Sequence, residues 1–180
     1  MILPVAIVTL AGTGPDLRRD LDAANLIWGN DCEVWIEIVD TIVVNRPELL
    51  VLSQEDCRGV GHVVSDEEDE LFAIGRDLGS DVVGYYIQSS SSSDSLLGCA
   101  AHPPGRRGFW VRHDTTLDFV WAHELGHVVG DNPHIPDSDN LMHSGSLPST
   151  NLPLDLNEEQ CRRIVNDPAL LSVESIALNL

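Results

Sequence analysis

Residues 123–134, His-Glu-Leu-Gly-His-Val-Val-Gly-Asp-Asn-Pro-His, set two imidazoles at helical spacing with a carboxylate beside the first. Side chains four apart on a helix share a face, with ~5–6 Å between their β-carbons. His123 and His127 can therefore grip one metal ion, while Glu124 is turned toward the side where a metal-bound water would lie. The chemistry open to such a set is metal-assisted hydrolysis. Zinc lowers the pKa of its bound water toward ~7, and a neighbouring carboxylate takes the proton as that water attacks a carbonyl. Gly130 stands where a helix that must stop sharply needs positive φ. Asn132 precedes Pro133 and is pushed toward an extended backbone, so His134 is delivered from outside the helix toward the open side of the metal. Three histidines and one water complete a catalytic zinc sphere.

Asn140-Leu-Met-His-Ser-Gly145 then places a methionine in a turn shortly after the third histidine. The combination resembles the metzincin metallopeptidases, whose pattern is His-Glu-x-x-His-x-x-Gly-x-x-His followed by a methionine-containing turn. The motifs that carry the resemblance lie within residues 114–145; outside them it is architectural. One spacing differs. The family has two residues between the glycine and the third histidine, whereas Asp131, Asn132 and Pro133 intervene here, and the residue in family register is Pro133, which cannot bind metal. We read a one-residue insertion with His134 still the ligand. Asp131, or Glu158 or Glu159 from a downstream helix in the manner of thermolysin-like enzymes, stay open as alternatives.

The resemblance implies an α/β metzincin-like catalytic domain: a twisted, mixed five-stranded sheet with an antiparallel edge strand, an active-site helix and a C-terminal helix. A cleft would separate two subdomains, residues 1–130 with the sheet and active-site helix and residues 131–180 with the third ligand, the Met-turn and the final helix. It further implies a zinc-dependent endopeptidase with one catalytic zinc held by His123, His127 and His134, and Glu124 as general base. Met142 would be a hydrophobic base beneath the histidines. Gly98, Cys99 and Ala100 on the edge strand would bind an extended peptide through main-chain hydrogen bonds. Ser146–Thr150 would wall a specificity pocket, and Ser144 stands where some relatives carry an oxyanion-assisting tyrosine. Calcium, which some relatives bind, has only Asp137 and Asp139 to suggest it, thin support for an oxygen cage. A different class of function is a non-catalytic zinc module that only binds peptides. Glu124 argues against it, since a structural zinc has no use for an adjacent base.

The elements that must position these residues follow the same order. Val5–Leu10 reads as a buried strand, followed by a helix with Pro15 in its first turn and an apolar face of Leu17, Leu21, Ala24 and Trp28. Val34–Val44 reads as a second strand, Leu49–Leu52 as a short piece, Glu67–Leu78 as a helix and Asp81–Ile87 as a third strand. The acidic run Ser65–Glu70 suits a helix start. Gln88–Ser95 is a serine-rich loop. Leu96–His102 and Gly108–Arg112 read as strands, and the active-site helix is expected from Asp114 or Thr115, both good N-caps. Asn157–Gln160 has the form of a capping box opening a final helix to Arg163 or Val165. Trp35, Trp110 and Trp121 are expected in the core, and His62, His102, His113 and His143 as solvated or hydrogen-bonded rings.

The 180 residues suffice for one compact domain that buries about 70% of its unfolded surface. The formal net charge is −19 and all ten basic residues are arginine. Such a surface favours solubility, would attract basic partners and argues against binding nucleic-acid backbones. No apolar run reaches a membrane span, and the first ten residues suit a strand better than a signal peptide, having no basic flank. Since the residues begin at the first expected strand, no latency prosegment is expected within them, and a removed signal and prosegment, unconventional export or retention inside the cell stay open. Four cysteines, Cys32, Cys57, Cys99 and Cys161, allow three disulfide pairings and contain no Cys-x-x-Cys metal knuckle. Their even number leans toward an extracellular compartment, although buried thiols would fit a reducing one. The expected partner is a peptide or protein substrate of a monomeric enzyme.

Overall fold

The computed structural model describes residues 1–52, 57, 63–90, 96–143 and 154–172. In chain order the elements are β1 (Ile2–Leu10), α1 (Leu17–Cys32), β2 (Trp35–Val44), a 3₁₀ turn (Pro47–Leu49), β3 (Val51–Leu52), α2 (Asp66–Ile74), β4 (Val82–Ile87), β5 (Ser89–Ser90), β6 (Gly98–Cys99), β7 (Arg107–Arg112), α3 (Val120–Val128) and α4 (Glu158–Val165). Five strands form one sheet in the order β2-β1-β4-β7-β6, and β3 pairs with β5 apart from it. The first four strands are parallel and β6 runs antiparallel along β7 at the edge, Gly98 opposite Val111 and Cys99 opposite Trp110.

The central strands are buried on both faces, which is why β1 and β4 read as near-continuous apolar runs, while edge strand β2 is largely exposed. Leu3, Val5 and Ile7 of β1 join one core with Trp28 of α1, Trp121 and Leu125 of α3 and Ile164 of α4. Ala6, Val8 and Leu10 join the opposite core with Leu71 and Phe72 of α2 and Trp110 of β7. The period-2 alternation of strand side chains thus divides one strand between two hydrophobic layers. Gly108 of β7 is where the second layer is tightest, since a β-carbon there would run into the Val83 carbonyl and come within 2.9 Å of the Phe72 ring.

The helix starts follow local chemistry. The Asp16 side chain accepts from Arg19 N–H and Ser65 from Glu68 N–H, and Asn157 with Gln160 forms the expected capping box on α4. The Asp16 cap leaves Pro15 outside α1. Four further expectations are corrected. The active-site helix begins at Val120, because Asp114 is engaged by Arg112 at 2.9–3.0 Å and Thr115 Oγ1 accepts from Leu117 N–H, so both candidate caps close a turn instead. The strand expected over Leu96–His102 shrinks to Gly98–Cys99. Trp35 opens edge strand β2 and is 53% exposed, its ring folded over Gly29 of α1. The helix expected to Leu78 stops at Ile74.

The cysteines pair as Cys32–Cys161 and Cys57–Cys99. The first joins the end of α1 to α4 across 129 residues of chain. In the chain-entropy account a loop that long contributes about 5 kcal/mol. The Cys32→Ser, Cys161→Ser double variant should therefore unfold at markedly lower urea concentration, and reductant should lower the wild-type midpoint at least as far, since it opens Cys57–Cys99 as well.

Candidate metal centre

All nine residues of α3 are buried, so its polar members lie inside the protein and need partners there. Val120, Trp121, Leu125 and Val128 fill the core, and His123 and His127 turn one edge of the helix toward the loop that carries His134. The three Nε2 atoms face one another at 3.0–3.2 Å. Tetrahedral zinc with Zn–N bonds of 2.0–2.1 Å holds its nitrogen ligands about 3.3 Å apart, so these spacings fit one ion. Among the described residues this is the one group of three or more His, Cys, Asp or Glu side chains arranged to hold a metal.

The opposite ring nitrogens are committed. His123 Nδ1 donates to the Leu141 carbonyl and His127 Nδ1 to the Asn132 carbonyl, both at 2.6 Å. These bonds place the proton on Nδ1 and leave each Nε2 lone pair free for a metal. Leu141 belongs to the methionine turn, so this turn orients a histidine directly. Met142 is fully buried, with its sulfur 2.7 Å from where a β-carbon on Gly126 would sit, between the two helical histidines. Asn140 holds the turn in place. Its Oδ1 accepts from Met142 N–H at 2.9 Å, and its amide exchanges two hydrogen bonds with Gln160 of α4, which the capping box fixes in turn.

Glu124 is buried, and burial pushes its carboxyl up to about 8. It lies against edge strand β6, where a β-carbon on Gly98 would fall 2.7 Å from Glu124 Cγ and Oε1. The structure therefore brings Gly98 to Glu124 at the sheet edge. Cys99 and Ala100 follow, both buried, with Cys99 bonded to Cys57 and Ala100 outside the strand.

Burial also holds His123 and His127 down to about 4 and about 3, below the ordinary 6.5, and lowers His134. For folding of the metal-free chain the signs oppose. Below 6.5 the unfolded state takes up two protons that the buried rings refuse, so stability falls as pH drops toward 4. Between 4.5 and 8 the unfolded state releases a proton that folded Glu124 retains, so stability falls as pH rises. Two histidines outweigh one carboxyl on the acid side, which gives a maximum near pH 6.5. Thermal unfolding of chelator-treated protein should show it, and Glu124→Gln should flatten the alkaline side up to pH 8.

Asp131 lies outside the histidine cluster, exposed and in the left-handed region at φ 49°. Glu159 is engaged by Arg162 and Arg163 on α4. Asp137 and Asp139 form a turn, Asp139 N–H donating to Asp137 Oδ1. His113 accepts from Gly14 N–H and His102 contacts the Pro103 carbonyl. His143 is half-buried, its Nδ1 has no hydrogen-bond partner among the described residues, and the ring acts electrostatically on His123 and His134. His62, Ser144 and Ser146–Thr150 lie outside the described residues. The Leu141 and Asn132 carbonyls were missed by sequence reasoning, since a backbone carbonyl carries no residue-type signature. Asn140 did carry one, as an asparagine able to cap the turn it opens.

No family model matches the chain, and no curated protein sequence matches it. Solved structures do. Archaemetzincin from Methanopyrus kandleri aligns over 98% of this chain and 92% of its own, with a TM-score of 0.54 at 15% identity. A chain from the structure of a chaperone-substrate complex aligns over 91% of this chain with a TM-score of 0.57 at 14% identity, but this protein spans only 33% of its length. The fold is thus archaemetzincin-like.

Proposed function

We propose that this protein is a zinc-dependent endopeptidase of metzincin type. The observation that carries the reading is the convergence of three Nε2 atoms at 3.0–3.2 Å beside a buried glutamate that faces the sheet edge. The fold shared with archaemetzincin supports it. His123, His127 and His134 would hold one zinc, which when bound supplies an acidified water and a Lewis acid for the scissile carbonyl.

The remaining work falls to this chain's own residues. Glu124 Oε takes a proton during attack and returns it to the departing amine. Its high pKa without metal marks a site where a carboxylate gains no help from solvent. The Leu141 and Asn132 carbonyls keep His123 and His127 in the metal-binding tautomer. An extended peptide adds to the outer edge of β6 at Gly98, Cys99 and Ala100, next to Glu124. Met142, against Gly126, supports the helix from below.

Zinc stoichiometry measured with cleavage of a quenched fluorescent peptide library tests this. One zinc per chain with cleavage supports the peptidase; one zinc without cleavage of any library member points to the peptide-binding module. Gly98→Val gives a second check, because the added carbons must displace the Glu124 carboxyl. It should lower kcat by roughly 100-fold, in line with a misplacement of ~1 Å at a catalytic group, and leave zinc stoichiometry unchanged.

A further inference from the structure

The turn that carries the third histidine contains a strained step held from outside. Gly130 and Asp131 stand consecutively at φ 88° and 49°, the left-handed region that disfavours a residue with a β-carbon. Asn132 is tied back to α3 through its carbonyl and N–H, whereas the Gly130–Asp131 step is held from the α4 side. Gly130 N–H donates to Asp167 Oδ2 at 3.0 Å, and Arg163 donates to the Asp131 carbonyl at 3.2 Å. Gly130 also packs so closely on α4 that a β-carbon would lie 2.9 Å from Ile164 N.

Asp167 is itself fixed. Its side chain is 8% exposed and receives both terminal nitrogens of Arg107 at 2.7–2.8 Å, and the same guanidinium donates to the Val128 carbonyl at 2.6 Å. Arg107 opens β7 and Val128 is the last residue of α3. One part-buried, bidentate ion pair therefore spans the turn, gripping the end of the metal-bearing helix through Arg107 and the first residue of the ligand loop through Asp167. Four residues later that loop presents His134.

We infer that Asp167, oriented by Arg107, is a positioning residue for the third metal ligand: the pair absorbs the extra residue of the Gly130–His134 loop and sets where the His134 imidazole stands. This inference rests on the three histidines binding metal. It assigns the C-terminal segment after α4 a role in metal geometry, although none of its atoms would touch the ion. Neutralising the carboxylate would leave a part-buried guanidinium without its ion partner and loosen the Gly130–Asp131 step.

The test measures zinc affinity by chelator competition, together with the visible absorption of the Co(II)-substituted protein. The chains are the wild type, Asp167→Asn, His134→Ala and the double variant. Asp167→Asn is expected to weaken zinc at least tenfold and to change the Co(II) band intensity. In the His134→Ala background the same change should alter zinc affinity less than twofold, since a residue acting through His134 has nothing left to position. Arg107→Lys, which keeps the charge but loses the planar fork, should follow Asp167→Asn in direction and serves if that variant fails to unfold cooperatively. Equal weakening in both backgrounds, or no weakening in either Asp167→Asn or Arg107→Lys, overturns the inference while leaving the metal site standing. A wild type without zinc affinity overturns the proposed function and this inference with it.

Discussion

Glu124→Gln should reduce peptide cleavage by about 10³-fold or more, the upper part of the range for losing a positioned general base, while zinc stoichiometry stays at the wild-type value. Glutamine matches the shape of the protonated carboxyl that burial favours, so the pocket formed by α3 and Gly98 of β6 keeps its packing. It lacks a site that can take a proton from water at neutral pH. The same variant should be more stable than the wild type above pH 8 without metal, because it removes a carboxyl that the fold must otherwise ionise in a dry place. Unfolding and catalysis then move in opposite directions, which a variant that merely disturbs the helix would not do. Cleavage that persists above a tenth of the wild-type rate would show that another group serves as base.

What the sequence disclosed of the fold was whatever its local pattern controls. Strands β2, β4 and β7 lie within one residue of their expected bounds, while β1 starts three residues before its expected Val5; β1, β4 and β7 were legible because a strand buried on both faces must be written in consecutive apolar residues. Helix α4 was legible because its capping box is four residues long and self-contained. Helix α3 was misplaced at its start because Asp114 and Thr115 are equally good caps and turn residues, and Arg112 decides between the two roles. The site divides along the same line. The His-Glu-x-x-His spacing announces a helical face, whereas the fate of the extra residue between Gly130 and His134 depends on Asp167 and Arg107, distant in sequence and ordinary in type.

That extra residue makes His134→Ala the most discriminating substitution at the metal. Its Nε2 stands 3.1 Å from His123 Nε2 and 3.0 Å from His127 Nε2, whereas no carboxylate joins the group among the described residues. Removing one of three protein ligands should weaken zinc by about 10³-fold, more than the 10–100-fold typical of losing a partner that only orients a ligand. Asp131→Asn is the matched control, since asparagine tolerates the left-handed backbone at φ 49° and keeps the carbonyl that Arg163 engages. It should leave zinc affinity within about threefold. Glu159→Gln should do the same, its partners being Arg162 and Arg163 on its own helix. A reversed pattern, with His134→Ala silent and Asp131→Asn costly, would mean that the loop rearranges around the ion to present the carboxylate. The Gly130–Asp131 step would then be a hinge, and the ion pair behind it would be holding the metal-free state.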